Sequence, residues 1–335
     1  MKSFSRRDFL RLASIGLTSV AVQQILAGCG ILPEDGEVLT LPTEVVSASE
    51  VPIVSATQAA TATVAADIPY LVVTHGEDPE TMVRQGMKAL GGMERFMKRG
   101  ANVIIKPNIC VGYHSHEYAA TTNPWVVAAL VKMCLEAGAG SVRVMDYPFG
   151  GSAEQAYRIS EIGDAVIAAG GVMEEMQAIK YINMEIPNAV RLKEVTLYPD
   201  ILNADLLINV PIAKNHGMAK LTLGLKNLMG TMRNREKIHP SFEDNLIDLA
   251  TVVKPQLTII DGIRTLMAHG PTGGNLDDVK IQNTLIFSHD IVAADSYATR
   301  LFDMTPADIP YILSAANRGL GVADLSGVKI EEINI

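Results

Sequence analysis

Ala101-Asn102-Val103-Ile104-Ile105-Lys106-Pro107-Asn108 is the stretch on which the fold turns: a short apolar run that closes in lysine, proline and asparagine. Consecutive apolar positions of this length predict a strand covered on both faces. Downstream, Asn123 offers a helix cap and Pro124 suits the first helical position, so a helix is expected over 124–137, stopped by Gly138 and Gly140. Ser141-Val142-Arg143-Val144-Met145 begins a second strand, and a helical pattern then runs over 153–169 to Gly170-Gly171. Further apolar runs follow at Asp205-Leu206-Leu207-Ile208-Asn209-Val210 and Leu257-Thr258-Ile259-Ile260, with helical stretches between them and after Asp290. This alternation predicts an α/β fold, a mainly parallel sheet with helices on both faces. Two extended runs, 181–186 and 190–197, lie too close together for a crossover and predict a small antiparallel insertion.

Each apolar run ends in chemistry. The first closes in Lys106-Pro107-Asn108 and the second in Asp146-Tyr147-Pro148. The third continues through Pro211 to Lys214-Asn215-His216, and the fourth ends in Asp261-Gly262. Open parallel sheets bind ligands just beyond the carboxyl ends of their strands. A rim built this way gathers Lys106, Asn108, Asp146, Lys214, His216 and Asp261. Polar strand ends occur in any α/β protein, so it is the recurrence at four ends that carries weight.

Beyond His216 lies the densest stretch, with Lys220, Thr222, Lys226, Asn227, Arg233, Arg235, Lys237 and His239 set against Leu221, Leu223, Leu225, Leu228 and Met229. Taken singly, its lysines read as the solvated tips of an amphipathic helix. Placed after a strand-end loop in an acidic chain, the run instead predicts a positive patch that attracts an anion. Arg233 would fork onto a carboxylate or phosphate, and the lysines would act as point charges. His216 and His239 are candidates for proton transfer because imidazole titrates near neutral pH. His114 and His116 would face one side of an extended segment, a spacing that suits a metal if Asp146 or Glu117 is near, and equally suits two exposed loop histidines. The loop His269-Gly270-Pro271-Thr272-Gly273-Gly274 reads as turn chemistry, with bare amides that could approach a ligand. No Walker or dinucleotide fingerprint is present, and no Gly-x-Ser-x-Gly elbow supports a nucleophilic triad.

The amino-terminal part is made of different material. Ser5-Arg6-Arg7-Asp8-Phe9-Leu10-Arg11, an apolar run from Leu12 to Leu26 and the ending Leu26-Ala27-Gly28-Cys29 predict an export signal over 1–29. The paired arginines resemble signals of the twin-arginine route, which carries folded proteins, and the ending resembles a lipobox in which Cys29 is acylated. An uncleaved membrane helix is the alternative, although the run is short and holds Gln23 and Gln24. Residues 30–67, rich in Ala, Ser, Thr and Val and broken by Pro42 and Pro52, predict a flexible linker. Residues 68–335 remain for one α/β domain, working outside the cytoplasm near a membrane. Lys2, Arg6, Arg7 and Arg11 against Asp8 give the signal a surplus of three positive charges, so a chain of net charge -9 leaves about -12 from Cys29 onward. A surface of that sign argues against nucleic acid as a partner. With Cys29 assigned to lipid, Cys110 and Cys134 are too few to ligate an iron–sulfur cluster, and separate buried thiols are expected in preference to a disulfide.

Taken together, Lys106-Pro107-Asn108, Thr122-Asn123-Pro124, Asn209-Val210-Pro211, Lys214-Asn215-His216, Gly224-Leu225-Lys226-Asn227, His239, and Ile260-Asp261-Gly262 with Gly270-Pro271 resemble the bacterial and archaeal family called domain of unknown function 362. The similarity runs from about Tyr70 to Ile330. Many members carry a ferredoxin-type cysteine cluster, which this chain lacks, so the redox work that cluster implies is not carried over. The resemblance marks Lys106, Asn108, Lys214, Asn215, His216, Lys226, Asn227, His239 and Asp261, largely the rim found from the strand ends.

The expected function is an enzyme or cofactor-handling protein acting on a small anion in a cleft at the strand ends. His216, His239 and Lys214 would be catalytic. Lys106, Asn108, Asn215, Lys226, Asn227 and Arg233 would bind ligand, and Asp146 and Asp261 would orient them or hold a divalent metal. Two other readings stay open: a lipoprotein that captures a solute without chemistry, and a redox accessory factor for a membrane partner.

Overall fold

The computed structural model describes residues 68–335, so the signal, Cys29 and the linker lie outside the described residues. The described part opens with β1 (Leu71–His75), α1 (Pro79–Ala89), β2 (Asn102–Pro107), α2 (Pro124–Glu136) and β3 (Ser141–Val144). Two short helices, α3 (Ala153–Ile159) and α4 (Ile162–Ala168), lead to β4 (Val172–Met173), then to β5 (Ile182–Glu185), β6 (Glu194–Leu197) and the single turn α5 (Pro199–Leu202). Next come β7 (Leu206–Val210), β8 (Ile212–His216), β9 (Lys220–Thr222) and the one-turn helix α6 (Gly224–Asn227). The chain closes with α7 (Phe242–Val252), β10 (Leu257–Leu266), β11 (Val279–Ser288), α8 (Ile291–Ala298), α9 (Pro310–Asn317) and β12 (Ile330–Asn334).

The main sheet has the order β12-β1-β11-β10-β7-β2-β3-β4. Of these strands only β11 runs against the others, pairing antiparallel with both β1 and β10. The sheet is therefore mixed but mostly parallel, as expected. β5 and β6 form the separate antiparallel pair expected from 181–186 and 190–197. Among the described residues no helix is long and apolar enough to cross a membrane.

Alternation along the strands splits the core in two. Leu71, Val73, Ile104, Leu207, Ile260 and Ile286 pack on one face with side chains of α7, α8 and α9. Val72, Val103, Ile105, Ile208, Ile259 and Phe287 pack on the other with α1, α2, α3 and α4. Asn123 caps α2 by accepting from the Trp125 amide at 2.9 Å, with Pro124 at the first position, and Gly138 follows in the left-handed region at φ 85°.

Two elements differ from the sequence reading. The helix expected over 153–169 is two, broken where Glu161 adopts φ 64°. A continuous helix would set Ile162 about 140° round from Tyr157; the break lets both pack into the same core. The strand expected over 257–260 extends to Leu266, because β10 pairs first with β7 and then with β8. Pro211 separates those two strands, and its carbonyl still accepts from the Asp261 amide at 2.8 Å. β8 thereby carries Lys214 and His216 past the end of β7.

Candidate functional site

A cavity of about 600 Å³ opens at the carboxyl ends of β2, β3 and β8. Alternation decides which side chains reach it. Lys106, Asn108 and Cys110 stand two apart along β2 and its exit, and all three line the cavity; so do Lys214 and His216 on β8. Helix α6 adds Lys226 and Asn227 from above, and Tyr147, Phe149, Met218 and Met229 give part of the wall an apolar surface.

The floor is an interlocked polar network. Buried Lys106 donates to Asp146 Oδ1 at 2.8 Å and to Asn227 Oδ1 at 3.1 Å. Asn227 Oδ1 also accepts from Asn108 Nδ2 at 2.9 Å, while its own Nδ2 donates to Asn209 Oδ1 at 2.8 Å. Asn108 Oδ1 in turn accepts from Lys214 Nζ at 3.0 Å, and Lys214 reaches the Ala120 carbonyl at 2.6 Å and Cys110 Sγ at 3.2 Å. Asp146 completes its set by accepting from the amides of Ile109 and Tyr147 at 2.6 and 2.9 Å. Gly230 covers this pair so closely that a Cβ there would lie 2.0 Å from Asp146 Oδ1 and 2.5 Å from Lys106 Nζ.

The electrostatics are one-sided. Lys106, Lys214, Lys226 and Arg235 line the cavity against Asp146 as the one carboxylate among the described lining residues. Burial pulls the Lys106 ammonium down from its ordinary value while Asp146 pushes it back up. Burial, then the charges of Lys214 and Arg235, take Lys226 down to about 7. His216 is held neutral: burial, then Lys226, Lys214 and His239, drive it down to about 3. Its Nδ1 accepts from the amides of Met218 and Ala219, both at 3.2 Å, which leaves Nε2 to carry the ring proton. It is therefore a hydrogen-bond donor at neutral pH, and Lys226 is the group poised to exchange a proton there.

Lys106, Asn108, Asp146, Lys214, His216, Lys226, Asn227 and His239, singled out in the sequence, all line this one cavity. Others do not. Asn215 points to the opposite side of β8, where its Oδ1 accepts from the Gly270 amide at 3.4 Å. Arg233 packs its guanidinium 5.6 Å from the Tyr181 ring, outside the cavity lining, and Arg235 takes the place expected for it. Arg235 lies 4.9 Å from the Tyr147 ring and donates through Nε to the Met229 carbonyl at 2.9 Å and through Nη2 to the Tyr147 carbonyl. Asn234 sits between the two arginines at φ 57°, a turn that the sequence does not announce. Cys110 was legible through its spacing of two from Asn108.

The side chains expected to hold a metal are not brought together. Asp261 is buried outside the cavity lining, with its oxygens on the Asn123 amide at 2.7 Å and the Ile263 amide at 3.1 Å. It stands three strands from Asp146 in the sheet, roughly 14 Å at usual strand spacing, so the two cannot share an ion. His116 is committed to Glu161 and lies edge-on to Trp125, whereas His114 stacks on Tyr118. Among the described residues no three His, Cys, Asp or Glu side chains converge as a metal site. Cys110 and Cys134 are separate buried thiols.

Helix α6 is fastened from behind. Buried Asp295 accepts from the Gly224 and Leu225 amides at 2.6 and 2.9 Å. Burial raises its carboxyl to about 7, and that of Asp261 to about 6, both from 3.8 and against the pull of the bonded amides. A folded value above the unfolded one gives stability that is fully present below pH 3.8 and is lost as pH rises through the folded value. His216 and Lys226, both lowered, act in the opposite sense, so the comparison has to be made with a variant. The stability of the wild type relative to Asp295→Asn is expected to fall as pH rises from 4 to 7, by at most about 1.4 kcal/mol per pH unit. Paired urea titrations at the two ends of that range measure it; a constant difference contradicts the assignment.

Comparison with known proteins follows from the same chain. The profile of the family described as "Domain of unknown function (DUF362)" matches residues 103–300. The thylakoid-associated protein sll1697 of Synechocystis sp. is 29% identical over 253 residues, covering 71% of this chain and 74% of that one. The lactate racemase apoprotein from Thermoanaerobacterium thermosaccharolyticum aligns with a TM-score of 0.40 at 10% identity, over 66% of this chain and 54% of its own. The chain thus spans about half the length of that solved structure. A Thermotoga maritima protein of known structure gives the same TM-score and identity, over 72% and 60%.

Proposed function

This chain belongs to the family of domain of unknown function 362, and from that premise we propose that it binds a small organic anion in the cavity at its strand ends and acts on it. The observation that carries the reading is the charge imbalance: three lysines and Arg235 face one lining carboxylate, which Lys106 already occupies. Such a cavity draws in an anion and rewards a planar carboxylate that the guanidinium can fork. The apolar wall of Phe149, Met218 and Met229 suits a short hydrocarbon body beside the charge. Lys226 supplies the group that exchanges protons near neutral pH.

The same reading places the domain outside the cytoplasm, tethered through an acyl chain on Cys29. It is supported by the paired arginines and the Leu26-Ala27-Gly28-Cys29 ending. The thylakoid association in the name of the 29% identical relative accords with work beside a membrane.

Calorimetric titration of the full chain with oxalate tests the anion site. Saturable binding at one site, weakening as salt rises, is expected. Heat of dilution alone at millimolar oxalate overturns the reading. Mass spectrometry of whatever co-purifies then separates the two modes: an anion recovered unchanged after long incubation indicates capture, and its conversion indicates catalysis.

A further inference from the structure

Three lysines line the cavity, and two of them have fixed partners. Lys106 is bonded to Asp146 and Asn227, and Lys214 to Asn108, Ala120 and Cys110. The Lys226 ammonium makes no hydrogen bond or ion pair with any described residue. The residue is partly buried, on a helix anchored by Asp295, and after burial the charge that bears on it most is that of Lys214, opposed by the Cys110 sulfur and reinforced by Arg235. An amine that serves as a point charge is ordinarily given a carboxylate or left in water. An amine that lines a cavity among cations, without an acceptor of its own, is shifted toward its neutral form, and a neutral amine is a nucleophile.

We propose that Lys226 forms a covalent iminium with a small oxo acid, its Nζ joining the carbonyl carbon while the cationic wall holds the carboxylate. This deepens the anion reading above and rests on it, since the carboxylate is the anion and the adjacent carbonyl is what Lys226 attacks. The Nζ lone pair forms the C–N bond, and the carbonyl π pair moves to oxygen. Nitrogen then gives up a proton and oxygen takes one, which makes the carbinolamine. The carbinolamine hydroxyl takes up one further proton, drawn from solvent through His239, and leaves as water while the nitrogen lone pair makes the C=N bond of the cationic iminium. One water is released, and neither an oxidant nor a reductant is consumed. His216, with its proton on Nε2, is suited to donate a hydrogen bond to the carbonyl oxygen, and the exposed His239 ring lines the same space and can carry the proton between nitrogen and oxygen. The product is an electron sink: in an oxo acid longer than glyoxylate, the carbon next to the iminium can lose a proton, and the bonding pair flows to nitrogen.

The test is reductive trapping on the full chain. Glyoxylate and cyanoborohydride are added, and peptide mapping follows the adduct, which has the mass of glyoxylic acid less one oxygen. The expected result is modification at Lys226 on the order of 30-fold faster at pH 7 than at exposed Lys98 and Lys254. That factor combines the larger neutral fraction of a lowered amine with its weaker intrinsic nucleophilicity. The rate at Lys226 should reach half its plateau near pH 7, where burial and its cationic neighbours place its titration. Oxalate, which presents the same carboxylate with a second one in place of the reactive carbonyl, should protect Lys226 and leave Lys98 and Lys254 unprotected. Labelling spread evenly over exposed lysines overturns the proposal. If oxalate binds while Lys226 fails to trap glyoxylate, the nucleophile is refuted and the anion site stands; if neither occurs, both fall.

Discussion

Replacing Asp146 with alanine is expected to destabilise the protein by about 3–5 kcal/mol, a large share of the 5–15 kcal/mol that holds a typical domain folded. The pair it forms with Lys106 is fully enclosed, with 1% and 3% of the two side chains exposed. Removing the carboxylate leaves an ammonium in a low-dielectric interior with only the Asn227 and Pro107 oxygens beside it. It also strips the Ile109 and Tyr147 amides of their acceptor. Urea unfolding followed by fluorescence measures the loss. The control is the double replacement Lys106→Met with Asp146→Asn, which removes both charges and should recover much of the deficit. A single variant that loses less than about 1 kcal/mol would mean that the pair is solvated and the floor of the cavity is wet.

Arg235→Gln is expected to weaken oxalate binding by about 10- to 100-fold, the range set by losing charge-assisted hydrogen bonds. The guanidinium spends Nε and one Nη2 bond on the Met229 and Tyr147 carbonyls, so it is held in place with donors to spare. Arg235→Lys should not restore affinity, because a single ammonium cannot brace itself on two carbonyls and still fork onto a carboxylate. Arg233→Gln, which removes a charge of the same sign two residues away but outside the cavity lining, should change affinity less than threefold. Equal losses in the Arg233 and Arg235 variants would show that the effect is general surface charge. Calorimetry at two salt concentrations distinguishes the cases.

The layered fold was legible because hydrophobic period and turn chemistry are local. Val103, Ile104 and Ile105 announce a strand covered on both faces, and Asn123-Pro124 announces the helix after it. Most of the site was legible for the same reason: parallel strands deliver their ends to one edge, so Lys106, Asp146 and Lys214 meet although more than a hundred residues separate the first from the last. What escaped depends on geometry that no local pattern encodes. Asp261 ends a recognisable apolar run, but β10 continues past it and turns its carboxylate to the Asn123 amide. The choice of Arg235 over Arg233 follows from one left-handed residue at Asn234. The lowering of His216 follows from burial first and then from the charges of Lys226, Lys214 and His239, which residue type alone does not convey.

The interlocked floor has an evolutionary corollary. Each amide and ammonium in the chain from Asp146 through Lys106, Asn227 and Asn108 to Lys214 is already claimed by its neighbour, and Gly230 leaves no space above the first pair. A change at any link orphans the next, so drift there is confined. Phe149 and Met218 have about half-exposed side chains that make no polar contacts, and they carry no such obligation. Substitutions at those two positions would therefore reshape the cavity wall at little structural cost, while the ionic lattice beneath them tolerates few.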